Sequence, residues 1–228
     1  MPNNSPQPRP ADWPATEQSR WSIPISRLIM FLLSRYHVEG RENLPDPPYV
    51  FVSNHLSYFD IPATIPVTPP GIVGLAARKY KGTWMEPFFR LNALIWVTQF
   101  SADREALRAG LRVLEAGVVL GVAPEGTRSR TGGLIQGRSG AAFLATRANV
   151  PVVPAALYGT EKVLKHPRPK VIARVGKPFR LPEGRAKGEA LEEYTERIMC
   201  AIAALLPEQY HGVYAGNPLI EEMAQIVR

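Results

Sequence analysis

His55 and Asp60 are the side chains in this sequence whose types and spacing best suit acid–base chemistry. They lie in a polar stretch, Ser53 to Asp60, that follows the β-forming run Tyr49 to Val52. Across five residues of one helix the second side chain turns through roughly 140°, so the pair can meet only if the helix begins after His55. Asp60 would then orient the imidazole and stabilise its protonated form. Alone, this spacing also describes an exposed turn histidine and an aspartate favoured by a helix N-terminus.

A second polar segment, Pro124 to Ser129, has the composition of an anion-binding site and follows the predicted strand Val118 to Val122. Gly126 allows the backbone to approach a ligand closely, and Thr127 supplies a hydroxyl group. Arg128 offers a planar guanidinium whose donors match a phosphate group. The segment is therefore a candidate for binding the anionic part of a substrate.

Further charged residues are predicted at the same edge of the fold. Lys79 and Arg104 follow the predicted second and third strands, so parallel strands would bring them to the edge that carries His55. Each one alone is more often an ordinary solvated surface charge, and it is their convergence on one edge that favours a site. Glu125 is either a second acid–base group or, as we favour, a carboxylate that holds Arg128 and neighbouring backbone N–H groups in place.

The elements that must position these residues alternate between β-forming runs and helical segments. This alternation predicts a single α/β domain with a largely parallel central sheet flanked by helices. The predicted strands cover residues 49–52, 72–77, 94–98, 118–122, 151–157 and 171–175. The predicted helices cover residues 60–64, 83–91, 105–116, 140–148 and 189–206.

The chain divides into four predicted parts: a flexible lead-in over 1–18, an amphipathic helix over 19–37, the α/β domain over 38–206, and an amphipathic tail over 207–228. Apolar residues recur at helical spacing in the second part and form one stripe: Trp21, Ile25, Leu28, Ile29, Leu32 and Tyr36. This helix either docks on the core or lies in a bilayer surface with its arginines toward lipid phosphate.

The formal charge of +7 on 228 residues predicts an anionic partner, such as acidic phospholipid, a phosphorylated substrate, nucleic acid or an acidic carrier protein. The single cysteine, Cys200, excludes an intramolecular disulfide, and the four histidines lack the spacing of metal ligands, so we expect no metal. We also expect no secretory signal, because residues 1–14 are polar and proline-rich, and no transmembrane span.

Four blocks in order carry a family resemblance: Ser53 to Asp60, Asp103-Arg104, Pro124 to Ser129, and Val150 to Pro154. Together they resemble the motifs of the glycerolipid acyltransferase family, whose best-known members are the 1-acyl-glycerol-3-phosphate acyltransferases. The similarity covers about residues 38 to 157. A His and an Asp at this spacing are common, but the ordered set of blocks is specific.

The resemblance implies acyl transfer from a thioester, either acyl-CoA or an acyl carrier protein, to the free hydroxyl of a lysophosphatidic acid-type acceptor in phospholipid biosynthesis. His55 would take the proton from that hydroxyl, and Asp60 would orient His55. The activated thioester makes a serine or cysteine nucleophile and a bound cofactor unnecessary. The candidate substrate-binding residues are Lys79, Arg104, Glu125, Gly126, Thr127 and Arg128.

Other functions remain open at this point. The acceptor could be glycerol-3-phosphate, another lysophospholipid or a lyso-aminolipid, and water as the acceptor would make the protein a thioesterase. A non-catalytic nucleic-acid-binding protein would use the basic cluster between Lys162 and Lys177, but the sequence has no recognition motif for nucleic acid. We therefore expect this cluster to bind anionic lipid, coenzyme A phosphates or an acyl carrier protein. We expect the protein itself to lie at the cytoplasmic face of a membrane, as a peripheral or monotopic protein.

Overall fold

Six of the seven strands within the described residues form from the short apolar runs that the sequence predicts, and all seven belong to one sheet. The computed structural model describes residues 19–83, 86–98, 103–182 and 186–228, and the predicted lead-in over 1–18 lies outside them. Within the described residues the strands are β1 (Arg35–Glu39), β2 (Val50–Ser53), β3 (Val73–Ala77), β4 (Ala93–Val97), β5 (Leu120–Val122), β6 (Val152–Tyr158) and β7 (Lys170–Val175).

The sheet has the order β1-β7-β6-β2-β5-β3-β4. All neighbouring strands are parallel except β6 and β7, which are antiparallel. The prediction of a largely parallel sheet is therefore confirmed. Because β2 to β6 run in one direction, the loops that follow them meet at a single edge of the sheet.

Helices cover both faces of this sheet. In the described residues they are α1 (Ser22–Leu33), α2 (Asp60–Thr64), α3 (Glu86–Arg90), α4 (Arg104–Glu115), α5 (Gly140–Ala148), α6 (Glu189–Leu205) and α7 (Leu219–Val227). Helices α4 to α7 share one core cluster with the sheet, and α1 and α2 share another with its opposite face. The predicted tail over 207–228 contains α7, whose Met223 and Val227 are buried in the first cluster.

The predicted helix over 19–37 is wrong at its C-terminal end. Helix α1 stops at Leu33, and Ser34 takes an extended conformation with its hydroxyl donating 2.7 Å to the Met30 carbonyl. Residues 35–39 instead form β1, which pairs with β7. Tyr36 continues the helical spacing of apolar residues, but its hydroxyl donates to the Ala63 carbonyl. A partner strand therefore outweighed the local helical pattern.

Helix α1 docks on the core by a face that carries two serines and Met30, and it leaves part of its apolar stripe exposed. Ser22, Ser26 and Met30 are buried, and the Ser22 hydroxyl donates to the Asn92 side-chain oxygen across 2.5 Å. Leu28 and Leu32 of the predicted stripe are 56% and 57% exposed. Small serines let the helix approach its neighbours closely, which turns the larger apolar side chains outward. Of the helices in the described ranges, none has the length and apolar character to cross a membrane.

Candidate active site

The turn after β2 brings His55 and Asp60 together. Helix α2 begins at Asp60, as predicted, and Pro62 suits its first turn because a backbone N–H there would lack a helical partner. The Nδ1 atom of His55 lies 2.6 Å from Oδ2 of Asp60. The His55 side chain is 26% exposed and that of Asp60 only 5%, so the imidazole is open on one side while the carboxylate is enclosed.

The remaining contacts of Asp60 determine which histidine nitrogen is free. Its Oδ2 atom accepts the backbone N–H groups of Leu56 and Ser57, at 2.7 and 2.8 Å. Its Oδ1 atom accepts the Thr160 hydroxyl at 2.5 Å. Surrounded by donors, the carboxylate acts as an acceptor toward His55 as well, so Nδ1 carries the proton of a neutral imidazole. Nε2 is then the unprotonated nitrogen that can act as a base.

The end of β6 and the loop after β5 hold this turn in place. The Asn54 side chain pairs with the backbone of Leu157 in β6, donating to its carbonyl across 2.7 Å and accepting its N–H across 2.8 Å. The carbonyl of His55 accepts the Ser129 N–H at 2.8 Å. The N–H of His55 donates to Oε2 of Glu125 at 2.6 Å. The base is therefore carried on a turn that is bonded to the end of β6 and to the loop after β5.

Glu125 lies beneath the site and is 1% exposed. Its second oxygen, Oε1, accepts the Ile135 N–H at 3.0 Å. The carboxylate therefore joins the His55 turn to the segment around Ile135 that precedes α5. Burial raises the pKa of Glu125 to about 7, although these two backbone donors favour its ionised form. Glu125 thus holds the backbone N–H groups of His55 and Ile135, whereas the Arg128 guanidinium, its other expected partner, contacts Tyr58.

Tyr58 supports Arg128 at the mouth of the site. The Arg128 guanidinium lies 3.7 Å from the centre of the Tyr58 ring and donates to the Tyr58 hydroxyl across 3.0 Å. Stacking on an aromatic face leaves the edge of a guanidinium free to meet a phosphate group. Arg128 is thus held at the entrance without an acidic partner among these contacts.

An apolar cavity of about 240 Å³ extends from His55 into the protein. His55, Tyr58 and Arg128 line it at the edge where β2 and β5 end, and Ile72 lines it before the start of β3. The cavity therefore runs along the strands beneath α2. Its lining is mostly hydrocarbon, which suits an alkyl chain rather than a polar ligand.

Two neighbouring glycines form the floor of this cavity. Phe51, Gly121, Gly74 and Leu94 are paired across four adjacent strands and therefore point to the same face of the sheet. A Cβ on Gly121 would lie 3.2 Å from Cδ1 of Ile72, and one on Gly74 would lie 3.1 Å from Cδ2 of Leu94. Missing side chains in the middle of the row leave the space that the cavity occupies.

The structure brings together only part of the predicted set of substrate-binding residues. Gly126, Thr127 and Arg128 line the cavity with His55, and Gly126 has a φ of 68°, which favours glycine. Lys79 and Arg104 follow β3 and β4 at the same edge, but both are exposed and neither lines the cavity. Sequence reasoning missed Tyr58, Asn54 and Thr160 as supports, because their partners lie 70 to 103 residues away. Within the described part of the chain, no cluster of three His, Cys, Asp or Glu residues could hold a metal ion.

Comparisons with known proteins agree with this geometry. A family model described as acyltransferase matches residues 35–158, more than half of the chain. A chloroplastic 1-acyl-sn-glycerol-3-phosphate acyltransferase of Brassica napus is 29% identical over 140 residues, or 56% of this chain and 38% of the relative. The enzyme of that name from Saccharomyces cerevisiae is 29% identical over 186 residues, or 75% of this chain and 59% of the relative. The chain thus spans less than two thirds of either protein.

A solved structure has the same fold. The crystal structure of the 1-acyl-sn-glycerophosphate acyltransferase PlsC from Thermotoga maritima superposes with a TM-score of 0.62 at 28% sequence identity. The match covers 78% of this chain and 74% of that one.

Proposed function

This chain belongs to the acyltransferase family, and on that premise we propose that it transfers a fatty acyl chain from a thioester to the free hydroxyl of a lysophosphatidic acid-type acceptor. One observation carries the proposal. The His55–Asp60 pair lies at the mouth of an apolar cavity that also presents the guanidinium of Arg128. A base, a hydrocarbon site and an anion-binding group thus meet at one edge of the sheet.

The reaction requires two proton transfers, one from the acceptor hydroxyl to His55 and one from His55 to the departing sulfur. Nε2 of His55 takes the proton of the acceptor hydroxyl as its oxygen forms a bond to the thioester carbonyl carbon. The C–S bond then breaks, and the imidazolium returns the proton to the departing sulfur, which leaves as a thiol. Asp60 stabilises the imidazolium between these steps, because its carboxylate lies 2.6 Å from Nδ1.

Direct transfer also agrees with the state of the single cysteine. Cys200 is buried in α6, and burial raises the pKa of its thiol to about 12. The thiolate is the nucleophilic form, so this residue is chemically inert near neutral pH. The thioester is already activated, and an attacking hydroxyl with His55 as base completes the chemistry without an acyl-enzyme.

The acceptor and the donor are identified together by one assay. Purified protein is given radiolabelled acyl-CoA or acyl carrier protein, each with lysophosphatidic acid, glycerol-3-phosphate, a lysophospholipid, a lyso-aminolipid or no acceptor. We expect phosphatidic acid from lysophosphatidic acid with the highest kcat/KM. Free fatty acid released without an acceptor would indicate a thioesterase, and no product from any combination would refute the proposal.

Arg128 would bind the phosphate of the acceptor, with Gly126 and Thr127 lining the same pocket and Lys79 and Arg104 adding positive charge at the edge. Replacing Arg128 with alanine should raise the KM for lysophosphatidic acid about tenfold or more, with a smaller effect on kcat, because a charged hydrogen bond is lost. Steady-state kinetics with varied acceptor measure this split.

Arg130 provides a matched control for this variant. It has the same charge two residues away, is exposed, and does not line the cavity. Arg130→Ala should leave the KM unchanged. Equal effects of the two variants would indicate general electrostatic attraction and would contradict a phosphate site at Arg128.

Membrane association would use the apolar side chains that α1 turns outward. Leu28, Phe31 and Leu32 are 56%, 67% and 57% exposed, and Leu164 is 79% exposed. Arg168 joins the two segments, because its Nη2 donates to the Phe31 carbonyl across 3.1 Å. We call these four apolar residues the interfacial face. Exposed basic residues lie close to the interfacial face along the chain: Arg27, Arg35, Lys162, Lys165 and Arg168. An anionic bilayer suits this combination.

Replacing Leu28, Phe31 and Leu32 together with serine should weaken binding to anionic phospholipid vesicles about a hundredfold or more, since each buried side chain contributes about 1.5 to 3 kcal/mol. Vesicle sedimentation measures the effect. Val213→Ser changes an apolar residue of similar exposure, 63%, elsewhere on the surface, and should leave binding unchanged. Undiminished binding by the triple variant would refute the role of this face.

A further inference from the structure

The oxygen of Asp60 that does not contact His55 has a partner of its own. Oδ1 accepts the hydroxyl of Thr160 at 2.5 Å, and Thr160 is 1% exposed. Thr160 lies outside residues 35–158, the part of the chain that the family model matches. Its hydroxyl takes no part in the reaction proposed above, so its burial against the carboxylate needs another explanation.

The backbone around Thr160 is built to aim it at Asp60. Strand β6 ends at Tyr158, and Gly159 follows with a φ of 85°. A Cβ on Gly159 would lie 2.1 Å from the Lys170 carbonyl oxygen, so only glycine fits this turn. Two residues before it, the backbone of Leu157 is bound on both sides by the Asn54 side chain. The end of β6 is therefore fixed against the turn that carries His55.

The two oxygens of Asp60 have separate tasks. Oδ2 contacts Nδ1 of His55 and accepts two backbone N–H groups, whereas Oδ1 accepts the hydroxyl of Thr160. Without that hydroxyl, Oδ1 would be a buried acceptor with no donor, which is costly for a charged group. Rotation of the carboxylate would then let Oδ1 find another donor, and the same rotation would move Oδ2 away from the imidazole.

We propose that Thr160 is a positioning residue, which acts through Asp60 by holding the carboxylate in the rotation that keeps Oδ2 on Nδ1 of His55. The inference rests on the proposed function, since it assigns Thr160 to the same acyl transfer. It adds a third member to the His55–Asp60 pair, supplied by a turn at the end of β6.

Thr160→Val tests this directly, because valine has nearly the shape of threonine and lacks the hydroxyl. We expect kcat to fall about tenfold to a hundredfold, the range that one hydrogen bond to a charged group represents, with the KM for the acceptor within twofold of wild type. Thr160→Ser restores the hydroxyl and should return kcat to within threefold of wild type. An unchanged kcat in folded Thr160→Val protein, or no rescue by serine, would overturn the proposal.

Two comparisons exclude a general effect of losing a buried hydroxyl. Thr146 is buried in α5, and its hydroxyl donates to the Ala142 carbonyl at 2.8 Å, so Thr146→Val is a matched control that should leave kcat unchanged. In an Asp60→Ala background, which removes both carboxylate oxygens, Thr160→Val should produce no further decrease, because its effect passes through Asp60. Additive losses in the double variant would contradict the proposal.

A readout without turnover separates this inference from the proposed function. In protein labelled with ¹⁵N-histidine, the Nδ1–H proton of His55 should give a downfield NMR resonance, since that proton is held in a short hydrogen bond to a carboxylate. Thr160→Val should move this resonance upfield, whereas Thr160→Ser should leave it in place. A wild-type protein that transfers no acyl group would refute the function alone, while an unmoved resonance in Thr160→Val would refute the role of Thr160.

Discussion

Replacing His55 with alanine is expected to lower the kcat of acyl transfer by about 10²- to 10⁴-fold, the usual contribution of a general base, while leaving the protein folded. The imidazole is partly open to solvent, so its removal costs little packing, and the backbone of the turn remains bonded through Glu125 and Ser129. Steady-state kinetics measure the rate, and circular dichroism with thermal unfolding checks the fold.

Asp60→Asn should also lower turnover without unfolding the protein. The asparagine oxygen can still accept the backbone N–H groups of Leu56 and Ser57, and its amide can donate to the Thr160 oxygen. What is lost is the negative charge that stabilises the imidazolium. His37→Ala is the control, because this histidine is exposed on β1 away from the site. Robust acyl transfer by correctly folded His55→Ala protein would rule out the mechanism.

Gly121→Val is expected to shift the chain length that the protein accepts. If the acyl chain occupies the apolar cavity, a valine on its floor takes the space of about three or four methylene groups near Ile72. Each methylene that stays in water forfeits about 0.8 kcal/mol, so kcat/KM for long-chain donors should fall about a hundredfold. Short-chain donors, which end before this point, should keep their wild-type kcat/KM.

The measurement is a series of acyl donors of increasing chain length, assayed with wild type and variant. Valine is favourable in a strand and Gly121 has no positive φ, but its Cβ would lie 3.2 Å from Cδ1 of Ile72, which must shift slightly; thermal unfolding therefore checks that the variant is folded. Gly140→Ala, where the added Cβ meets no atom within 4 Å, is the control for a glycine substitution outside the cavity. An equal decrease for all chain lengths would place the acyl chain elsewhere.

The local features of the site were predictable because they depend on residues close together in the chain. The five-residue spacing of His55 and Asp60 required a helix that begins after His55, and α2 begins at Asp60. The same holds for α5, which covers 140–148 as predicted from its local pattern. Parallel strands then placed Gly126, Thr127 and Arg128 at the edge that carries His55.

Longer-range features were not predictable, and α1 illustrates why. Its apolar stripe was visible in the sequence, but which face of a helix is buried depends on the surface opposite to it. Here the buried residues are Ser22, Ser26 and Met30. Strand β1 was missed for a related reason, since its partner, β7, begins at Lys170, far along the chain.

The sequence by itself determined the acid–base pair, its turn and the parallel sheet, because short-range spacing and β-forming runs depend on neighbouring residues. Only the tertiary structure decided how the pair is held: Glu125 lies 70 residues from His55, and Thr160 lies 100 residues from Asp60. It also decided that Gly74 and Gly121 share one row, since strand register sets which residues face each other. Hydrogen bonds and cavities of this kind arise from the packing of distant segments, which sequence spacing does not encode.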